Sequence, residues 1–294
     1  MSTIAASAIA VSVGTFDGVH RGHRQLLAAA ARRAAAAGLP LVVLTLDRHP
    51  LSLLRPDRAP RLLTGLDHKL ELLAELDGVA RTEVLVFDRP RAEQEPASFL
   101  RDTLAGELGA RLLVVGGNFR FGRDGAGDVS LAARLGPAAG LDVVGLPLLE
   151  EAPGAVISSS QIRRLVAAGS LAHAAELLGR PFELRGQLGH QLDGAGGGAP
   201  LTIDGQLLLP PAGAYRVLAA PLDRAEGGSL EAAVELSGGV VRLRAPDRHG
   251  LLGSARLWRP GATLRILFGA PAPGTAPPLP PASAATSPAD RASR

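Results

Sequence analysis

"AIAVSVGTFDGVHRGHRQLL", Ala8 to Leu27, is the stretch whose reading decides the fold. Its first six residues are a short aliphatic run of the kind that forms a strand buried on both faces. From Gly22 to Ala37 the pattern becomes helical and stops at Gly38-Leu39-Pro40. Between strand and helix stand an aspartate, three glycines and two histidines, where alanine and leucine would build a better helix. Ligands of open parallel sheets bind beyond the carboxyl ends of strands, where strand turns into helix. Gly14 and Gly18 let the backbone bend and approach a ligand, and Gly22 keeps the helix entry free of a side chain. The free N–H groups and dipole of the helix start favour a phosphate there. His20 and His23, three apart, project to one side of that anion site. Their titration near neutrality and N–H donors suit a phosphorus centre that gains charge as one bond forms and another breaks. A pair of incidental surface histidines is the plainer alternative, which the glycine and aspartate context disfavours. A zinc site lacks a nearby third ligand, so no metal-ligating residue is assigned.

Working outward, aliphatic runs at Leu41, Glu83, Arg111 and Leu141 alternate with helical patterns at Asp67–Leu76 and Pro96–Leu108. Strict alternation predicts an α/β fold, a doubly wound parallel sheet over roughly Met1–Glu150. Two short helices broken at Gly169-Ser170 follow. After Arg180 the segments "FELRGQL", "QLLLP", "GAYRVLAA", "EAAVELS", "VVRLRA" and "ATLRILF" predict a small antiparallel β-barrel or sandwich. The expected domains are residues 1–180, 181–269 and a Pro/Ala/Ser-rich, disordered tail over 270–294.

The 294 residues carry no cysteine, which excludes disulfides, thiolate zinc sites and a cysteine nucleophile. The net charge is +3, and Lys69 is the one lysine among 31 basic residues. The pI near 10.3 reflects arginines scattered among acids rather than a nucleic-acid-binding stripe. No apolar run approaches a membrane span and Met1–Ala10 lacks a secretory pattern, so the expectation is a soluble cytoplasmic protein with neither membrane nor nucleic-acid partners. Oligomeric state is not readable.

"GTFDGVHRGH", Gly14–His23, resembles the H-x-G-H signature of nucleotidylyltransferases, in the form found in prokaryotic bifunctional FAD synthetases, where riboflavin kinase is fused to FMN adenylyltransferase. "LTLDRHP", Leu44–Pro50, is similar to that family's T-F-D-P-H-P segment, with Leu46 and Arg48 as departures. "VGGNFRFGRDGAGD", Val115–Asp128, resembles its G-x-N-F-x-F-G loop, and "ISSSQIRRLVAAGSLAHAAELLGRPF", Ile157–Phe182, its S-S-T-x-I-R helix and L-G-R-P segment, with Ser160 in place of threonine. The resemblance implies a nucleotidyltransferase domain that moves AMP from ATP to FMN with Mg²⁺. It implies catalytic roles for His20, His23 and Arg163, and substrate binding by Gly14, Phe16, Asp17, Gly18, Gly22, Asn118, Phe119, Phe121, Ser158, Ser159 and Ser160. The residues themselves leave plainer readings open. Phe119 and Phe121 follow a strand's carboxyl edge and either cover a base or plug the core. The serines either touch phosphate or cap the helix holding Arg163. Asp17 is read loosely as positioning metal or nucleotide, and the roles of Asp47 and His49 stay open.

In the second half the framing of a riboflavin kinase barrel survives at Gly186, His190 and "LLLPPAGAYRV", Leu207–Val217. Its chemistry does not: Pro200-Leu201-Thr202-Ile203 stands where the family has Pro-Thr-Ala-Asn. "DGAGGGAP", Asp193–Pro200, lacks the Lys and Ser/Thr of a phosphate loop and reads as a flexible turn. Glu231 and Glu235 read as solvated positions on a strand. The expectation is an adenylyltransferase joined to a degenerate kinase-like barrel. Another phosphorylated acceptor, or a nucleotide sensor without turnover, are the alternatives.

Overall fold

The computed structural model describes residues 8–189, 198–222, 229–244 and 261–269. The expected tail over 270–294, His190 and most of the glycine run lie outside them. Among the described residues no helix is long and apolar enough to cross a membrane.

Five parallel strands form the first sheet: β1 (Ile9–Gly14), β2 (Leu41–Leu46), β3 (Val79–Leu85), β4 (Ala110–Gly116) and β5 (Asp142–Leu146). Their order is β3-β2-β1-β4-β5, so the chain reverses direction across the sheet between β1 and β4. That reversal opens a crevice at the carboxyl ends of these two strands. Helix α1 (Arg21–Ala36) buries Leu27, Ala30 and Ala34 at helical spacing, and small side chains bring its axis close to the sheet at Ala10 and Val114. The other helices are α2 (Pro50–Leu54), α3 (Leu66–Ala74), α4 (Arg89–Ala92), α5 (Pro96–Ser98), α6 (Val129–Leu135), α7 (Ser159–Ala167) and α8 (Leu171–Leu178). Helix α5 runs straight into a π-type segment, Phe99–Glu107, whose wide last turn closes with Leu108 N–H donating to Thr103 C=O at 3.1 Å. A short hairpin, β6 (Glu150–Ala152) and β7 (Ala155–Val156), precedes α7.

The second half closes into a six-stranded antiparallel barrel of β8 (Phe182–Leu188), β9 (Gly198–Ile203), β10 (Gly213–Pro221), β11 (Leu230–Ser237), β12 (Val240–Arg244) and β13 (Thr263–Phe268). Alternation sets the register: Leu264, Ile266 and Phe268 face inward from β13, and Val241 and Leu243 from β12. Complete burial of a side chain such as Leu243 contributes on the order of 2 kcal/mol.

Two elements differ from the sequence expectation. Gly198–Pro200, read as part of a turn, begins strand β9, which pairs with both β8 and β12. "QLLLP" is not a strand. It leaves the barrel so that Leu207 bridges Leu62, with Leu62 N–H donating to Gln206 C=O and Leu208 N–H to Leu62 C=O, both at 2.8 Å. The halves share one core as well: Ile162, Val166, Leu177 and Leu178 of α7 and α8 pack with Phe182, Leu184 and Phe268 of the barrel.

Candidate active site

A cleft of about 530 Å³ opens at the carboxyl ends of β1, β2 and β4. This is the size of an ordinary small-ligand site. Its walls bring together Gly14, Phe16, Asp17, His20, Gly22 and His23 from the first loop, Asn118, Phe119 and Phe121 from the loop after β4, and Ser158, Ser159, Ser160 and Arg163 from α7. Of the residues given catalytic or binding roles by the sequence resemblance, only Gly18 lies off the cleft wall. Its φ of +81° and a Cβ that would come within 2.8 Å of Leu63 explain why it is glycine.

The first loop is strained and tightly held. Phe16 and Val19, neither of them glycine, have φ of +48° and +37°. Such conformations persist where surrounding bonds over-determine them. Here the Asp17 carboxylate accepts from Leu63 N–H at 2.9 Å, from Thr64 N–H at 3.2 Å and from Arg163 Nη1 at 2.7 Å. Ser159 Oγ donates to Asp17 C=O at 2.8 Å, and Arg180 donates to Gly18 C=O at 2.8 Å and Val19 C=O at 3.3 Å. Burial raises the Asp17 pKa above the usual carboxylate value, opposed first by Arg163 and then by the Thr64 and Leu63 N–H groups. Asp17 is thus occupied as an internal anchor that ties the first loop to α7.

His20 is the N-cap of α1, its Nδ1 accepting from His23 N–H at 3.4 Å, which leaves Nε2 as the protonated nitrogen of the neutral ring. The two imidazoles stack at 3.6 Å between centroids, 20° apart. Burial, helped by Arg180 and Arg163, lowers the His20 pKa to about 4, and burial, with repulsion from His20 were it protonated and from Lys69, takes His23 well below its usual value. The titration near neutrality expected from sequence is therefore absent: both rings are neutral donors. His23 Nδ1 is buried with no protein partner among the described residues.

Ser158 caps α7 by accepting from Gln161 N–H at 3.2 Å, and Ser160 Oγ accepts from Arg163 Nη2 at 3.1 Å. The serines both build the helix end and line the cleft. Phe119 and Phe121 stack at 5.1 Å, but Phe121 is buried against Phe99, leaving Phe119 the more open ring. His49, whose role the sequence left open, caps α2 through Nδ1 and lines the cleft, its pKa lowered by burial and by Arg163. Asp47 faces away, accepting from Phe87 N–H at 2.8 Å. Among the described residues no three His, Cys, Asp or Glu side chains are grouped to hold a metal. With Asp17 and Asp47 both engaged by protein donors, the residues present do not fit a resident metal ion.

Sequence reading missed Arg180, Thr64 and the apolar wall of Leu46, Leu54, Leu85 and Phe87. Arg180 was within a quoted motif, but nothing local showed that its side chain crosses to the first loop.

The profile of the FAD synthetase family matches residues 3–161. A bifunctional riboflavin kinase/FMN adenylyltransferase of Escherichia coli is 38% identical over 180 residues, 61% of this chain and 57% of the relative, so little more than half of that relative is matched. One from Listeria monocytogenes is 32% identical over 212 residues, 70% of this chain and 66% of the relative. In fold, a solved structure titled as a macrolide-efflux protein from Streptococcus pneumoniae superposes with a TM-score of 0.74 at 22% identity, covering 91% of this chain and 86% of the other.

Proposed function

The chain belongs to the FAD synthetase family, and from that premise we propose that its cleft transfers AMP from ATP to the phosphate of FMN, giving FAD and pyrophosphate. The observation that carries this reading is the pair of stacked, neutral imidazoles at the start of α1, near Arg163 in a cleft also lined by apolar and aromatic side chains such as Leu46, Leu85, Phe87 and Phe119. The charged and imidazole groups suit a polyphosphate, and the apolar and aromatic ones a planar ring system.

In this reaction a phosphate oxygen of FMN attacks the α-phosphorus of ATP, and the bond to pyrophosphate breaks. Charge accumulates on the transferring and leaving phosphate oxygens. His20 donates from Nε2 to those oxygens, and His23 stacks against it, supporting its ring from behind. The arriving charge raises both ring pKa values, so protonation accompanies binding. Arg163, pre-aimed by Asp17 and Ser160, offers a guanidinium fork to the triphosphate. Asn118 and Phe119 orient and cover the flavin or adenine ring. Mg²⁺ enters as part of the ATP substrate, needing few protein ligands.

We assign this reaction to residues 1–180 and read 181–269 as a barrel without kinase activity. In β9 Leu201 faces the barrel core and Thr202 is exposed, so the one hydroxyl near the expected threonine points out of the barrel. Purified chain with Mg·ATP and a panel of phosphorylated acceptors tests the proposal: FAD and pyrophosphate should form in equal amounts with FMN. Nucleotidyl transfer to a different acceptor would reassign the substrate, and no turnover with any acceptor would overturn it.

A further inference from the structure

In a chain that otherwise uses arginine, the one lysine, Lys69, asks for a reason. Surface solubility does not supply it, because the side chain on α3 is buried, 7% exposed. Its Nζ donates to Leu46 C=O at 2.7 Å and to Thr15 C=O at 3.2 Å. Leu46 ends β2 and Thr15 follows β1, so one atom joins the carboxyl ends of two neighbouring strands. Thr45 Oγ1 adds a second donor to Thr15 C=O at 3.2 Å. Immediately downstream of these carbonyls lie the Asp17–His23 loop and the Asp47–His49 loop, the two segments that form one side of the cleft. The ammonium feels the charges of Asp17 and Asp47 and acts in turn on His23. Burial lowers its pKa to about 8, so it remains mostly charged at neutrality. An ammonium presents three donors from one atom on a thin stem, whereas a guanidinium spreads its donors over a plane. That difference explains lysine at a point where two carbonyls converge.

We propose that Lys69 is a positioning residue: it ties the ends of β1 and β2 and fixes positive charge behind the cleft wall, holding the His20/His23 loop and the Asp47–His49 loop in register. What it positions rests on the adenylyl-transfer reading, but the strand tie does not. Lys69→Met keeps the stem and removes charge and donors, leaving Leu46 C=O without this partner.

The test compares the full chain with Lys69→Met and Lys69→Arg. With FMN and Mg·ATP, Lys69→Met should lower kcat on the order of 10²-fold, as small misplacements of reacting groups do, with the KM for FMN changed less than about threefold. Lys69→Arg, which keeps the charge, should recover roughly tenfold of that loss. In the ligand-free protein, amide exchange in segments 14–20 and 46–51 should quicken roughly tenfold in Lys69→Met and stay unchanged in the barrel. Should Lys69→Met fail to fold, lysine-selective ¹³C labelling of the unaltered chain replaces it: its single lysine ε-carbon signal should shift when Mg·ATP saturates the protein. With Lys69→Met folded, an unchanged kcat or unchanged exchange in both segments overturns the proposal; with it unfolded, a lysine signal unmoved at saturation does. If the unaltered chain makes no FAD, the transfer reading fails while the exchange comparison still decides the strand tie.

Discussion

The histidines of the cleft and Glu183 of the barrel are covered polar groups that are partnered in opposite ways. At the cleft, His20 and His23 are held neutral, and a nitrogen of His23 lacks a protein partner. At the barrel edge Glu183 is equally buried, yet Arg185 donates to it at 2.9 Å and Arg265 at 2.8 Å. Burial alone would raise the Glu183 pKa, but these hydrogen bonds and the neighbouring His68 overcome it, and the carboxyl sits below its ordinary value. An unpaired polar group leaves a hydrogen bond unmade. A paired one is finished, and its contribution is to hold elements together: Arg185 also forks onto Glu71 of α3 at 2.8 and 2.6 Å, joining barrel to sheet domain. The difference separates a region built to receive charge from one built to brace it.

The comparison breaks first at the histidines. His20→Ala or His23→Ala should lower the FAD-forming rate by on the order of 10²-fold or more, as loss of a preorganised donor does. Loss of the His20 cap should cost only about 1 kcal/mol of stability. Rate assays beside denaturant melts check both, and full activity in either variant would remove the histidines from the reaction.

Acid sharpens it next. His20 and His68 have folded-state pKa values of about 4 against 6.5 unfolded. The unfolded chain takes up these protons first, so the stability they contribute is full above pH 6.5 and is lost as pH falls toward 4. Between pH 7 and pH 5 each should cost on the order of 2 kcal/mol, with His23 acting in the same direction. Urea titrations at the two pH values measure it. A saturating polyphosphate ligand should flatten the dependence from His20 and His23 and leave that from His68, which lies at the barrel edge.

The fold was legible where periodicity and punctuation agreed. The AIAVSV strand, the helix ended by Gly38-Leu39-Pro40 and five of the six expected barrel strands form within a residue or two of their expected places, whereas "QLLLP" forms none and β3 begins at Val79, four residues before the "EVLVF" run. The cleft was legible because most of its residues sit in four short motifs. What sequence did not carry was side-chain destination. Asp17 looked free for a ligand, but residues 46 and 47 positions away supply N–H groups that occupy it. The histidines looked poised to titrate near neutrality, and only burial beside Arg180, Arg163 and Lys69 shows otherwise. Strand β9 was hidden by glycine and proline, which in isolation signal a turn; pairing on both sides by β8 and β12 decides in favour of a strand.

A smaller effect is expected at Arg163. Lysine there keeps the charge but cannot hold Asp17 and Ser160 with one fork while facing the cleft. Arg163→Lys should raise the KM for ATP by about tenfold, read from steady-state titration, and an unchanged KM would confine Arg163 to anchoring Asp17. The smallest effect belongs to the bracing side. Glu71→Gln removes one exposed partner of Arg185, and as a half-exposed surface pair it should cost under about 1 kcal/mol and leave FAD formation unaltered.

The most direct measurement is a chromatographic assay that separates riboflavin, FMN and FAD after incubation of the full chain with Mg·ATP. Given FMN, the chain should make FAD at the open cleft. Given riboflavin, it should make no FMN, because Leu201 fills the barrel interior where Thr202 would have to point. FMN appearing from riboflavin at a rate comparable with FAD synthesis would show the barrel to be a second reactive site, contradicting the division between a receiving cleft and a bracing barrel.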